Sequence, residues 1–172
     1  IPLVEKPGYE ADDVLGTRLV AGLQALGFPV LGWSANAKAL EGVRTFAGRS
    51  ELEAFLRATR ALVCMLPLTP DTAGLLNRDT LGKLPQGAYF VNVARGGLVV
   101  DDDLLALLDS GHLAGATLDV FHQEPLPAAH RFWSHPKVSI TPHTSALTMV
   151  EDSVAQVAGK IEGTVSDQAG VP

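Results

Sequence analysis

AYFVNVARGGLVVDDDLLALLDSGHLAGATLDV, residues 88–120, decides the fold class. Its first segment, Ala88–Val93, is an apolar run rich in aromatic and β-branched residues and reads as a strand. Asp102–Ser110 follows with leucines at helical spacing, behind acids that suit a helix N-terminus, and Gly111 stands where a helix stops. Ala116–Val120 is apolar again and reads as a second strand. Strand, helix, strand in this order is the building unit of a parallel α/β sheet.

The alternation extends in both directions. Ile1–Val4 is a short candidate strand. Val14–Leu26 reads as a helix with Leu15, Leu19, Leu23 and Leu26 on one face, and Gly27 is its C-terminal stop. Pro29–Trp33 is the next strand and Arg44–Ala47 a short edge strand. Ser50 is placed to cap a helix over Glu51–Ala58. Ala61–Leu66 is a continuous apolar run, as expected of a strand buried on both faces. A short helix near Arg78–Lys83 precedes the Ala88 strand. Val138–Thr141 completes the sheet, and Met149–Ile161 forms a last helix with Val150, Val154, Val157 and Ile161 aligned. The expected architecture is α/β, a doubly wound and mostly parallel sheet in a single three-layer domain over residues 1–172. The longest irregular stretch, Phe121–Pro136, holds three prolines, and Trp133 is expected to anchor it to the core.

A chain of 172 residues, nearly half of them hydrophobic, has enough apolar side chains for one real core. The net charge of −6 argues against nucleic acid or an anionic membrane as a general partner. No apolar run approaches the roughly 20 residues that span a bilayer. IPLVEKPGYE lacks the basic and apolar regions of a signal peptide. Cys64, the single cysteine, sits in the apolar ALVCML run and reads as core packing, so the cytoplasm is the expected compartment.

Three residues, each just after a strand, point to chemistry: Arg95 in NVARGG, Glu124 in LDVFHQEP and His143 in ITPH. In an open parallel sheet such positions share the carboxyl edge, where ligands bind. A carboxylate beside an imidazole orients it and raises its basicity, which suits a general acid/base near neutrality. A guanidinium offers a planar fork that matches a carboxylate. Together they describe a site for reducing a 2-keto acid.

The strings around these residues, NVARGGLVVDDDLLALLDSGHLAGATLDVFHQEPLP and HPKVSITPHTSA, resemble the signature of the D-isomer-specific 2-hydroxyacid dehydrogenases. The likeness is nearest to the glyoxylate/hydroxypyruvate reductase A branch, which shares a GFPV…WS stretch and an LPLTPDT-like loop, and it runs from about Val14 to about Ile161. It implies a Rossmann-like nucleotide-binding domain in which His143 is the proton donor and acceptor, Glu124 its partner and Arg95 the substrate-orienting cation. It also implies that Asp119 faces the nicotinamide carboxamide and that Leu66, Pro67 and Thr72 line the cofactor cleft, with Val93, Ala94 and Ser145 beside them. The implied partners are a small 2-keto or 2-hydroxy acid and a second copy of the chain in a homodimer.

The sequence departs from that family in two respects. Its length leaves no room for the separate substrate domain that closes over the nucleotide domain, so that domain is expected to be absent. Aligning Val14-Leu15-Gly16 with the step into the first helix makes Gly16 the third glycine of G-x-G-x-x-G, and the first two positions fall on Ala11 and Asp13. The missing glycines, and the carboxylates of Asp12 and Asp13 where a dianion should sit, are expected to impair cofactor binding. As a structural device, Asp12 or Asp13 caps the first helix. After the second strand, Trp33-Ser34-Ala35-Asn36-Ala37-Lys38 has no acid for a ribose 2′-hydroxyl, which favours NADP(H) over NAD(H), with Ser34 and Lys38 nearest the 2′-phosphate.

His112, His122, His130 and His135 lack ligand spacing and read as ordinary loop histidines, and Asp101–Asp103 read as helix-capping acids, so no metal is expected. The leading reading is the nucleotide-binding domain of a 2-keto acid reductase, weak or inactive on its own. Its rivals are a catalytically silent dinucleotide- or protein-binding module and an inactive fragment of such an enzyme.

Overall fold

The computed structural model describes residues 11–144. The candidate strand at Ile1–Val4, the helix at Met149–Ile161 and Ser145 lie outside the described residues. Helix α1 (Ala11–Ala25) leads to β1 (Leu31–Ser34), β2 (Arg44–Ala47), α2 (Gly48–Ala58), β3 (Ala61–Cys64), α3 (Arg78–Leu81), β4 (Ala88–Asn92), α4 (Asp101–Asp109), β5 (Leu113–Leu118) and β6 (Val138–Ile140). All pairings are parallel. One sheet has the order β3-β4-β5-β6, and β1 pairs with β2 in a second. The expected doubly wound α/β architecture is therefore present, with β1 and β3 unpaired to each other among the described residues.

Helix boundaries follow from local chemistry. Gly27 ends α1 in a left-handed conformation (φ 79°) while Phe28 N–H reaches the Leu23 carbonyl and Gly27 N–H that of Gln24, the two bonds of a Schellman stop. In the described part of α1, Asp12 and Asp13 already lie in its first turn and do not precede it as caps. Of the leucines expected to align, Leu26 is 74 % exposed and Leu19 is also exposed, because Leu26 already belongs to the stop. The cap expected of Ser50 is supplied differently: α2 starts three residues earlier, and Glu51 Oε2 accepts the Ala47 N–H at 2.6 Å. At α3, Asn77 and Thr80 form a reciprocal capping box.

The core runs continuously from Phe46, Phe55 and Leu56 through Leu62, Phe90, Leu104 and Leu108 to Ala116 and Leu118. Strand β3 is less enclosed than its sequence suggests, with Ala61 exposed and Val63 half-buried; among the described residues it stands at the edge of its sheet. The long 121–136 stretch is anchored by buried Phe132, whose ring meets His130 and Phe121, and not by Trp133, which is exposed. Its far end is tied to α4 by Arg131 and His135 on Asp109, at 3.0 and 3.2 Å, and by Lys137 Nζ on the Leu108 carbonyl at 2.6 Å.

Candidate active site

Parallel strands deliver their following loops to one edge, and here four loops converge there, after β3, β4, β5 and β6. The loop after β3 is knitted to the turn after β4: Gly74 N–H bonds the Gly97 carbonyl, Leu76 N–H that of Leu98, and Val100 N–H that of Leu76, all within 2.9–3.0 Å. Gly96 brings the turn after β4 under the loop after β5. A Cβ on Gly96 would overlap the Phe121 carbonyl and the His122 nitrogen, so only glycine lets these two backbones cross.

Glu124 and His143 meet at this edge. His143 Nδ1 lies 2.7 Å from Glu124 Oε2. An ionised carboxylate only accepts, so Nδ1 carries the proton of this bond, leaving Nε2 to take or give one. The other carboxylate oxygen accepts the Phe121 N–H at 2.9 Å, which folds the acid's own loop. The His143 bond, followed by the Phe121 bond and with a smaller pull from Arg95, holds the Glu124 carboxyl below its ordinary range. Arg95 is exposed at the end of the neighbouring turn, with Nη1 donating to the Ala94 carbonyl at 2.6 Å.

His143 is in the left-handed region, φ 52°, where few side chains other than glycine settle unless held. The hold comes from Asp119, 1 % exposed: its Oδ1 accepts the Thr144 N–H at 2.9 Å and the Thr141 hydroxyl. Asp119 thus supports the turn carrying His143 from beneath. Thr72 is committed as well, since its hydroxyl accepts the Thr69 N–H at 2.8 Å and donates to the Pro67 carbonyl at 2.7 Å. Leu66 packs half-buried on the core, Ala94 is buried and Val93 half-buried. Ser34 Oγ donates to the Asn36 carbonyl at 2.6 Å at the end of β1, with Lys38 exposed beyond it. Gly16 lies within α1.

The histidines proved less ordinary than their spacing suggested. His122 Nε2 and His130 Nε2 approach the half-buried Asp101 at 3.7 and 3.5 Å, and His122 Nε2 also lies 2.7 Å from the Val99 carbonyl. Burial pushes the Asp101 carboxyl up, against the opposing pull of the two imidazoles. No group of three or more histidine, cysteine or acidic side chains among the described residues is arranged to hold a metal. Sequence reading also missed Asn92, Gly96 and Thr141. The available signals were an Asn ending a strand before a turn and a glycine immediately after a functional arginine.

A profile of the D-isomer specific 2-hydroxyacid dehydrogenase NAD binding domain matches residues 14–145. The chain belongs to this family. A D-isomer specific 2-hydroxyacid dehydrogenase from Xanthobacter autotrophicus Py2 is 44 % identical over 92 % of this chain and 52 % of its own, with a TM-score of 0.79. A structure of such an enzyme from the same organism, in complex with NADPH and MES, is 40 % identical over 99 % of this chain and 73 % of its own, with a TM-score of 0.84. The NADPH-dependent glyoxylate/hydroxypyruvate reductase of Sinorhizobium meliloti, in complex with NADP and sulfate, is 38 % identical over 99 % of this chain and 57 % of its own, with a TM-score of 0.80. The chain spans about half the length of several of these relatives and corresponds to their NAD(P)-binding domain. No helix of the described residues is long and apolar enough to cross a membrane.

Proposed function

We propose that this chain is the nucleotide-binding part of an NADP(H)-dependent reductase of small 2-keto acids of the glyoxylate and hydroxypyruvate type. The observation that carries the reading is the 2.7 Å pair of His143 and Glu124 on the same edge as Arg95. The adenosine end of NADP(H) fits the residues after β1, where Ser34–Lys38 offer a lysine and no carboxylate to repel a 2′-phosphate. Ser34, Lys38, Leu66, Pro67, Thr72, Val93, Ala94, Asp119 and Ser145 are assigned to the cofactor side, with Gly16 at the step into α1. The pyrophosphate end fits less well, because Asp12 and Asp13 stand in the first turn of α1, and weak binding is part of the proposal. When bound, the dinucleotide supplies the hydride. His143 Nε2 protonates the keto oxygen, Glu124 holds the imidazole and compensates the charge it carries, and Arg95 takes the substrate carboxylate in its planar fork. Self-association as a homodimer and a cytoplasmic location complete the proposal. Exposed Leu26 and Phe28 support self-association, and the burial of the one cysteine, Cys64, fits a reducing compartment.

The test is NADPH titration by tryptophan fluorescence, followed by NADPH oxidation with glyoxylate or hydroxypyruvate. Saturable binding, with substrate-dependent oxidation lost in His143→Ala, supports the reductase. Binding with no oxidation under any condition supports a silent dinucleotide-binding module, the reading that the first-turn aspartates favour. Tighter binding of NADH than of NADPH removes the cofactor assignment.

A further inference from the structure

We propose that Asn92 is the positioning residue for Arg95, an inference that rests on the reading of Arg95 as the cation for the substrate carboxylate. Asn92 is the last residue of β4 and is 1 % exposed, so its amide must find partners inside the protein. It finds both within its own turn: Oδ1 accepts the Ala94 N–H at 3.1 Å, and Nδ2 donates to the Arg95 carbonyl at 3.0 Å. These groups belong to the peptide planes on either side of the Ala94–Arg95 bond. Peptide planes are rigid, so fixing the two outer ones aims the middle one. The middle plane's oxygen is the Ala94 carbonyl, the group to which Arg95 Nη1 donates at 2.6 Å. The guanidinium therefore stands where Asn92 sets it, through the main chain of Ala94 and Arg95.

The turn is anchored at both ends. The main-chain oxygen of Asn92 accepts the Asp119 N–H at 3.0 Å, and Gly96, just beyond Arg95, lies under the Phe121 carbonyl. The requirement at this position is for one acceptor and one donor on a short planar group. Aspartate has the same shape and keeps the acceptor, but it turns an oxygen toward the Arg95 carbonyl where a donor is needed. Once protonated, a carboxylic acid has the donor and acceptor pattern of the amide again, and burial raises the pH at which a carboxyl takes its proton.

The experiment compares wild type, Asn92→Asp and Asn92→Ala, labelled with ¹⁵N. The Arg95 Nε–H resonance is followed without ligand and during titration with oxalate, a planar carboxylate probe, at pH 7.5 and 5.5. NADPH affinity is measured in parallel. In Asn92→Asp at pH 7.5 the Arg95 resonance is expected to shift and oxalate binding to weaken about tenfold, with NADPH affinity within about twofold of wild type. At pH 5.5 the deficit relative to wild type should shrink to about threefold or less. Ala94 amide protection should survive in Asn92→Asp and fall in Asn92→Ala. Oxalate affinity within twofold of wild type at both pH values overturns the inference. So does an equal loss of oxalate and NADPH binding that pH leaves unchanged, which marks a purely structural residue. If oxalate does not move Arg95 in the wild type, the functional reading fails separately. The ligand-free resonance then decides: a shift in Asn92→Asp that reverses at pH 5.5 sustains the inference, and no shift overturns it.

Discussion

Asp119 Oδ1 accepts the backbone N–H of Thr144 at 2.9 Å and thereby fixes the turn on which His143 stands. The bond runs from just past β5 to the turn after β6, so an acid following one strand sets the conformation of the loop after its neighbour. A residue held at φ 52° needs such a restraint, and Asp119 reinforces it by taking the Thr141 hydroxyl with the same oxygen.

Asp119→Ala is therefore expected to cost about 2 kcal/mol, since it leaves the Thr144 N–H and the Thr141 hydroxyl without the charged acceptor they share. Urea unfolding measures the loss, and nuclear Overhauser contacts between the His143 ring and the Glu124 side chain should weaken at the same time. A loss below about 0.5 kcal/mol with those contacts intact would show that the turn holds itself.

Two glycine substitutions should move in opposite directions. At Gly96 an added methyl meets backbone, which cannot rotate aside, so Gly96→Ala is expected to destabilise by about 1–3 kcal/mol and to separate the loops carrying Arg95 and Glu124. At Gly22, exposed within α1, a methyl meets no described atom within 4 Å. Gly22→Ala should stabilise by roughly 0.5–1 kcal/mol through helix propensity. Thermal melts of the two variants check both signs, and a neutral Gly96→Ala would mean that the crossing of the two backbones is looser than described.

The Glu124 carboxyl is held low chiefly by its bond with His143 and next by the Phe121 N–H. A carboxyl whose folded value is depressed contributes stability that is fully present above its unfolded value, about 4.3. That contribution is lost as pH falls through the folded value. The 121–124 loop should accordingly loosen under acid, below the usual carboxylate range and not near neutrality. Carbon-detected titration of Glu124 should move upward, toward the ordinary glutamate value, in His143→Ala. An unmoved midpoint would show that the Phe121 bond alone sets it.

The elements visible in the sequence were those whose cause is local. Apolar runs such as Phe90 and Val91 mark β4, and Gly27 and Gly111, both with positive φ, mark helix ends. The positions of Glu124 and His143 also followed from strand ends. What the sequence did not disclose depends on partners distant along the chain. Ser50 looks like a cap until Glu51 is seen to take the N–H of Ala47, and Trp133 looks like an anchor until the smaller Phe132 is found in the core. Strand β5 begins at Leu113, three residues earlier than its apolar pattern suggests, because Ala88 in β4 pairs with Leu113. The part Thr72 plays in folding its own loop, through its bonds with Thr69 and Pro67, was likewise not visible in the sequence. Asn92 is the clearest case, since its turn is local but its consequence appears only when the direction of Arg95 is known.

The first turn of α1 offers a prediction in which stability and affinity change in opposite senses. Asp12 and Asp13 lie at the helix N-terminus, where negative charge opposes the dipole favourably and each acid contributes roughly 0.3–1 kcal/mol. The same positive end is what a dinucleotide's pyrophosphate requires in this class of fold, and two carboxylates compete for it. Asp12→Asn with Asp13→Asn should lower the melting temperature slightly while tightening NADPH binding about tenfold at low salt. The gain should shrink as ionic strength rises from about 0.1 M, where the screening length is about 10 Å, to about 1 M, where it is about 3 Å. Fluorescence titration at the two salt concentrations, beside a thermal melt, separates the effects. If neutralising both acids lowers stability and leaves NADPH affinity unchanged at low salt, these residues serve the helix alone and the pyrophosphate binds elsewhere.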